Sequence, residues 1–441
     1  MGLVDLILFP FYVLLFHLIF SARRKKIEDP ILKKYHRNGF WIKVISCVAF
    51  TFFNVYLSIG DSVVLYYDEG NHFKDLVFKD FSHIGIFFSD GKDYDPNLLY
   101  TTLNTGYFAN DGNFFTARLV GVLSFFCFGS YFVINLCFSL ISFSGVWRLF
   151  RFFYELYPTM HRKLAIAIIY MPTFVFWSSG ILKDPICTGM MGFLTYGLYN
   201  LVVKRQHILK NTLVVLLSAY VLGIVKSYIL VSYLPFTLLF VLLLRFKQLK
   251  SAVSRLALIF SLILMGVGGS FLVADRMQEE LGNLAFDKIS ESVKVTQNNF
   301  INMADLAESS FSLGVDFDGS PASMAKMAPL AVNATLFRPY LWESKKASTL
   351  LSSLESLALM VLTLYALIQS RVVGFFKTLF TNAAVFYCFF FAILFALFVG
   401  ATALNFGTLV RYKIPCMPFY IIALFLIVEQ YKQPQKKEVE P

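Results

Sequence analysis

The chain has 441 residues, of which 57% are hydrophobic, 17% aromatic and only 15% charged, with 50 Phe. A soluble domain carries about 25% charged residues, so a water-soluble globule is excluded and the repeated long apolar runs predict a polytopic membrane protein. A net charge of +11 would suggest nucleic acid in a soluble protein, but here Lys and Arg cluster in short connections between apolar runs, as expected of cytoplasmic loops. Nucleic acid is therefore not expected as a partner. Membrane lipid is, because basic patches attract anionic head groups.

Two spans of the about 20 residues that a bilayer requires are predicted at 3–20 and 40–59, joined by a basic connection from Arg23 to Lys43. No A-x-A cleavage pattern follows the first run, so it reads as a span and not as a signal peptide. The basic connection places itself in the cytoplasm, with the N-terminus and Gly60 outside. Residues 60–116 read as a first outer loop. It opens with the acidic, aromatic stretch GDSVVLYYDEGNHFKD, in which Asp61, Asp68, Glu69 and Asp75 follow directly on a membrane exit. Such carboxylates either line a site or belong to a solvated loop.

From Arg118 to Phe150 the apolar stretch is too long for one straight helix and too short for two. Gly129 and Ser130 mark the break, which predicts an interfacial or re-entrant piece followed by a span at 130–149. Further spans are predicted at 164–181, 185–203, 211–226, 228–244 and 256–274, with basic connections between pairs. Residues 275–346 read as a second outer loop, in which Leu281, Leu284, Ile289 and Val293 predict an amphipathic interfacial helix. Spans at 350–369, 378–399 and 412–429 follow, and residues 430–441 read as a disordered cytoplasmic tail. The predicted fold is all-α, a single integral membrane domain of about eleven crossings in the cytoplasmic (inner) membrane, with the N-terminus outside and the C-terminus inside. Six Cys lie in or beside apolar runs with no CxxC pair, so they read as small buried residues. Gly266, Gly268 and Gly269 read as close helix packing.

A charge at the membrane centre costs on the order of 3 kcal/mol, so polar residues at the outer ends of spans are the candidates for chemistry. Asp68 and Glu69, with Asp61 beside them, are candidate catalytic carboxylates. The pair is suited to general-base work or to ligating a hard divalent cation such as Mg or Mn. Arg118 and the Lys183-Asp184 pair are candidate substrate contacts. In FWSSGILKDPICTG, predicted as a short outer turn, the pair reads either as a snorkelling Lys with a capping Asp or as a phosphate contact with Asp184 holding Lys183. TLFRPYLWES places Arg338, Trp342 and Glu343 just before a span, either as interfacial anchors or as contacts for a phosphate and a sugar or prenyl unit. NFGTLVRYKIPCMP places Asn405, Arg411, Tyr412 and Lys413 at the next outer border, where Arg would hold a phosphate bidentately. No P-loop, GxGxxG, HExxH or GxSxG occurs, so nucleotide hydrolysis, dinucleotide binding and the common hydrolase chemistries have no support.

The acidic pair Asp68-Glu69 in the first large outer loop, the many short-looped spans and the RY-x-x-P step Arg411, Tyr412, Pro415 together resemble the integral-membrane glycosyltransferases of the GT-C class. The resemblance implies transfer of a sugar from a polyprenyl-phosphate donor to an envelope glycan, lipid or protein acceptor on the outer face of the membrane. Asp68 and Glu69 would then be base or metal ligands, and Arg411 with Lys413 would hold the donor phosphate. Over its whole length, through GDS, FWSSGILKD, LFRPYLWE and NFGTLVRYKIP, the chain is also similar to uncharacterised bacterial envelope proteins. The alternatives are a polysaccharide polymerase or ligase using 275–346 as a lid, with Arg276 and Arg338 on pyrophosphate, a lipid-linked glycan transporter, and a structural envelope protein. The transferase reading expects Asp68, Glu69, Lys183 and Arg411 to share one outer-facing cavity.

Overall fold

In hydrocarbon every backbone N–H and C=O has to be satisfied inside the protein, which leaves helices as the way for a single chain of this composition to cross. The computed structural model describes residues 3–58, 60–91, 93, 95–245, 311, 313, 321–344 and 347–432. Within them, eight helices are long and apolar enough to cross a membrane, or nine if a pair bent by 63°, Phe406–Tyr412 with Met417–Lys432, is one span. The all-α polytopic class is as expected. The predicted span 256–274, the interfacial helix, Arg276 and the Gly266 group lie outside the described residues.

Contacts divide the chain into two units, Met1–Gly197 with His207–Lys226, and Leu198–Gln206 with Ser227–Pro441. The first unit begins with α1 (Leu3–Lys25) and α2 (Pro30–Phe52). Pro30 opens α2, and Asp29 caps it by accepting from Ile31 N at 2.7 Å and Leu32 N at 3.3 Å. Most of the cationic stretch expected to be a connection is therefore the first turns of a helix. A π-helical continuation carries α2 to Leu57. The expected outer loop is folded: a π-helical turn Ser62–Tyr67 leads into α3 (Asp68–Lys79), and after short 3-10 segments comes α4 (Asp111–Phe126). Phe73, Ile86, Leu99, Phe108 and Phe114 close a small apolar core there.

The break expected at Gly129 and Ser130 is present. Phe128 and Gly129 take φ of 52° and 68°, and Ser130 caps α5 (Tyr131–Leu156). Helices α2 and α5 lie antiparallel. Phe52 meets Phe132 at one end, Lys43 lies beside Ser139 and Ser142 midway, and Tyr35 packs on Phe150 at the other.

The region expected to hold two full spans with an outer turn is built differently. Helix α6 (His161–Ala165), a π-helical stretch Ile166–Tyr170 and α7 (Pro172–Trp177) run parallel to α2, from Tyr35 beside His161 to Phe50 beside Phe176. The chain then turns through Ser178–Leu182, all buried, and returns as α8 (Lys183–Leu198) parallel to α5. Thr188 bonds to Ser142 at 3.0 Å and Tyr196 to Glu155 at 2.9 Å, so the hairpin enters and leaves at the same end of the unit. Ser142 is about 16 Å from one end of α5 and about 21 Å from the other at 1.5 Å per residue, so the turn starts at mid-depth. Close approach of α5 and α8 rests on glycine: a Cβ on Gly192 would run into the Gly145 carbonyl, and one on Gly145 into that of Gly189. Helix α9 (Ile208–Val225) completes the unit, with Lys226 as its cap.

In the second unit α10 (Ser227–Arg245) packs on α13 (Ala383–Thr402), where the Tyr387 hydroxyl donates to Tyr233 at 2.9 Å. The loop expected at 275–346 includes α11 (Pro321–Phe337), whose Thr335 hydroxyl donates to Ala396 O at 2.7 Å. Gly400 of α13 leaves room for the Ala331 carbonyl of α11. Helix α12 (Ala347–Thr381) is interrupted at Arg371, with φ 56° and ψ 154°, where separate spans had been expected on either side. Helices α14 (Phe406–Tyr412) and α15 (Met417–Lys432) follow, so residues 430–432 of the expected tail are helical. The rest of the tail lies outside the described residues.

Because the Gly145–Gly192 approach leaves no space for a methyl group, Gly192→Ala is expected to lower the apparent melting temperature in detergent clearly. Gly106→Ala, where a Cβ meets nothing within 4 Å, is expected to leave it within about a degree. Equal effects would remove the packing argument.

Candidate functional site

The carboxylates of the first outer segment are separated by burial. Asp61 is exposed ahead of the π-helical turn, and Asp68 is half-buried at the start of α3. Glu69 is 1% exposed. It is drawn in because Gly70 lets α3 press against α4: a Cβ there would lie 2.5 Å from Val120 and 2.8 Å from Ala117 O. Glu69 Oε1 accepts the Tyr100 N–H at 3.1 Å, while its buried Oε2 has no hydrogen-bond partner among the described residues. Burial pushes the Glu69 carboxyl up to about 7, with the Tyr100 bond pulling down and Asp68 pushing up. Burial also raises Asp68 and lowers His72, one turn along, whose Nε2 lies 3.1 Å from Leu98 O. Tyr66, Tyr107 and Asn113 brace this layer: Tyr107 donates to Tyr66 at 2.7 Å and Tyr66 to Asn113 at 3.1 Å.

Arg118, expected as a substrate contact, is a brace. Its guanidinium donates to Ser89 O at 2.5 Å and lies 5.0 Å from the Phe114 ring centroid. Nor do Asp68 and Glu69 form a cation cage. Successive helical residues point about 100° apart, and among the described residues no three His, Cys, Asp or Glu side chains converge. The pair by itself therefore offers a hard cation two carboxylates at most, and any further ligands would have to be water or substrate oxygen.

The second polar group of this unit surrounds the hairpin turn. Lys43, expected in a solvated connection, is buried within α2. It donates to Ser178 O at 2.6 Å, Ser178 Oγ at 2.5 Å and Ser142 Oγ at 3.3 Å. These three acceptors satisfy the donors that Nζ carries, as burial requires. Asn135 bridges the same turn, accepting Ile181 N at 2.7 Å and donating to Thr51 at 3.1 Å. Asp184, fully buried, meets Lys226 at 2.6 Å. Asp184, expected either as a helix cap beside a snorkelling Lys183 or as the group holding Lys183 for a phosphate, is thus engaged in an ion pair across two helices. In the sequence Lys43 is hidden at the end of the basic run that begins at Arg23. Its place inside the apolar run, with Gly39 and Cys47 buried one turn to either side, was the signal.

In the second unit, the Arg338 guanidinium is paired with Glu343 through two Nε contacts of 3.0 and 3.1 Å and an Nη2 contact. It also lies over Phe311 and Phe406, at 4.3 and 5.2 Å. Lys413 is buried and donates to Arg338 O and Ser356 Oγ, each at 3.1 Å. Asn405 caps α14 through Gly407 N at 2.8 Å, Trp342 is exposed and stacks on Tyr340, and Arg411 lies half-buried beside Tyr412. Arg338, Glu343 and Lys413 therefore form one locked cluster. Arg411 and Lys413 belong to a different unit from Asp68, Glu69 and Lys183.

No protein-family model, curated protein or solved structure matches this chain.

Two outcomes test this description. Breaking a buried ion pair by removing one partner costs about 3–5 kcal/mol. Asp184→Asn and Lys226→Met are each expected to destabilise the protein by that order, and the double variant by less than their sum in an unfolding titration. For Glu69, the folded carboxyl holds its proton up to about 7 against an ordinary 4.5. Its contribution is present below about pH 4.5 and is lost as pH rises through about 7. The melting temperature of the wild type relative to Glu69→Gln should fall between about pH 5 and about pH 8; a flat difference would show that Glu69 is not buried as described.

Proposed function

We propose that this chain is a membrane-embedded transferase of GT-C-like chemistry, moving a sugar from a polyprenyl-phosphate donor to an acceptor hydroxyl at the Asp68–Asp111 layer. The observation that carries the reading is Glu69: a buried carboxyl outside the spans, with one oxygen fixed by the Tyr100 N–H and the other unpartnered among the described residues. A carboxyl held near neutrality is suited to accept a proton from a hydroxyl at physiological pH. In the transfer, the bond from the anomeric carbon to the donor phosphate breaks and the bond to the acceptor oxygen forms. The acceptor proton passes to the carboxylate. Asp68, half-buried at the rim, orients the acceptor, and its charge raises Glu69 further.

The charge pattern supports an orientation. Arg23, Arg24, Lys25, Lys26, Lys33, Lys34 and Arg37 lie at the end of α1 and α2 away from Glu69, a bias that under the positive-inside rule favours a cytoplasmic position for that end and an outer one for the Glu69 layer. A second reading, movement of a lipid-linked glycan without chemistry, is favoured by the buried turn at Ser178–Leu182, since broken helices recur at transporter binding sites.

Glycan profiling of a deletion strain complemented with wild type, Asp68→Asn or Glu69→Gln separates these readings. The transferase reading expects Glu69→Gln to lower product at least about 100-fold at undiminished protein level, with Asp68→Asn intermediate. Full product from both variants would leave the reading without its base.

A further inference from the structure

At the opposite end of the first unit from Glu69, α1 and α2 flank an open pocket of about 530 Å³ whose lining includes Ser21, Arg24, Lys25, Lys33, Lys34 and Arg37. Between residues 21 and 37 the chain carries seven Lys and Arg against two acids, and neither acid lines the pocket. Asp29 is turned away, accepting from the Tyr154 hydroxyl at 2.5 Å and from the first amides of α2. The helix terminus is thereby already capped, and what the pocket offers an anion is side-chain cations. Arg24 is positioned by its bond to Ser21 at 2.5 Å, and Lys33, Lys34 and Arg37 are exposed. Five cations round one concavity repel each other, and a phosphate relieves that repulsion while matching the arginine fork.

The surroundings say what carries the phosphate. Ile7, Phe11, Leu14 and Leu18 are exposed on α1, and their spacing of four, three and four residues continues through Ser21 to Lys25, so all six lie on one helix face. This apolar stripe runs directly into the pocket. On α2, exposed Trp41 and Ile45 continue from Lys34 and Arg37 in the same way, and Trp41 packs against His17 of α1. Both helices are long and apolar enough to span, and α1 also exposes Leu6, Leu15 and Ile19, so acyl chains lie against them directly below the pocket and bring a lipid head group within reach of its cations.

We propose that the pocket between α1 and α2 seats the phosphate head group of an anionic phospholipid, with its acyl chains lying along the Ile7–Leu18 stripe. Head group and tail are recognised by different residues, cations at the helix ends and large apolar side chains below them. The site stands apart from the Glu69 layer and does not depend on the transferase reading.

The test uses full-length protein, stripped of lipid in detergent and titrated with phosphatidylglycerol, phosphatidylcholine or inorganic phosphate under native mass spectrometry. Phosphatidylglycerol should bind at least tenfold more tightly than phosphatidylcholine, and inorganic phosphate should not displace it at equal concentration. The triple variant Arg24→Gln, Lys33→Gln, Arg37→Gln should lose at least tenfold. Lys210→Gln, Lys326→Gln, Lys377→Gln, with the same charge removed elsewhere, should change binding by less than twofold. Equal binding of the two lipids, full affinity in the first triple variant, or displacement by inorganic phosphate would each overturn the assignment. If that variant does not fold, the wild type decides by salt. A tenfold loss between about 0.05 M and about 0.5 M NaCl is expected, and salt-insensitive binding would overturn the proposal.

Discussion

The hydrogen bond from Lys43 Nζ to the Ser178 carbonyl is the contact on which the architecture of the first unit depends. A chain that leaves helical geometry among packed spans exposes backbone groups that hydrocarbon cannot satisfy. Here Lys43 takes the carbonyl and Asn135 takes the Ile181 N–H, so the turn is closed by side chains of the two helices flanking it. With the turn supported, α8 can start at mid-depth, and glycines at 145, 189 and 192 let it lie against α5 at backbone distance. Asp184 then emerges where Lys226 can meet it.

The two polar regions of this unit treat charge in opposite ways. Around the hairpin each buried charge has an acceptor or counter-charge at 2.5–2.6 Å, a condition for permanence. In the Glu69 layer a carboxyl is buried with half its hydrogen-bonding capacity unmet among the described residues. Packing of α3 on α4 through Gly70 enforces that burial. Groups held short of satisfaction in otherwise well-paired surroundings are where proton chemistry is expected.

Much of this was legible in the amino-acid order. Apolar length located most of the spans, and Gly129-Ser130 located the break before α5, because a positive φ and a helix cap have strong residue preferences. What misled was the assumption that polarity means loop. Residues 60–116 are polar on average, yet Phe73, Ile86, Leu99, Phe108 and Phe114 suffice for a small core of their own. The Pro321–Phe337 segment is only mildly apolar, yet its alanines pack α11 against Gly400. Likewise, Arg118, Arg338 and Lys413 looked available for an anion because one residue in isolation does not reveal its acceptors. The carbonyls of Ser89 and Arg338 and the carboxylate of Glu343 come from elsewhere in the chain.

Helix α12 carries one more implication. Its stretch before Arg371 is about 36 Å long at 1.5 Å per residue, already enough for the about 30 Å of hydrocarbon. The remaining turns are surplus to crossing, yet they present Val372, Val373, Phe376 and Phe380 outward. Past the kink at Arg371 the helix therefore keeps an apolar outer surface beyond the length that crossing requires, and the kink divides α12 into a spanning stretch and a second greasy one.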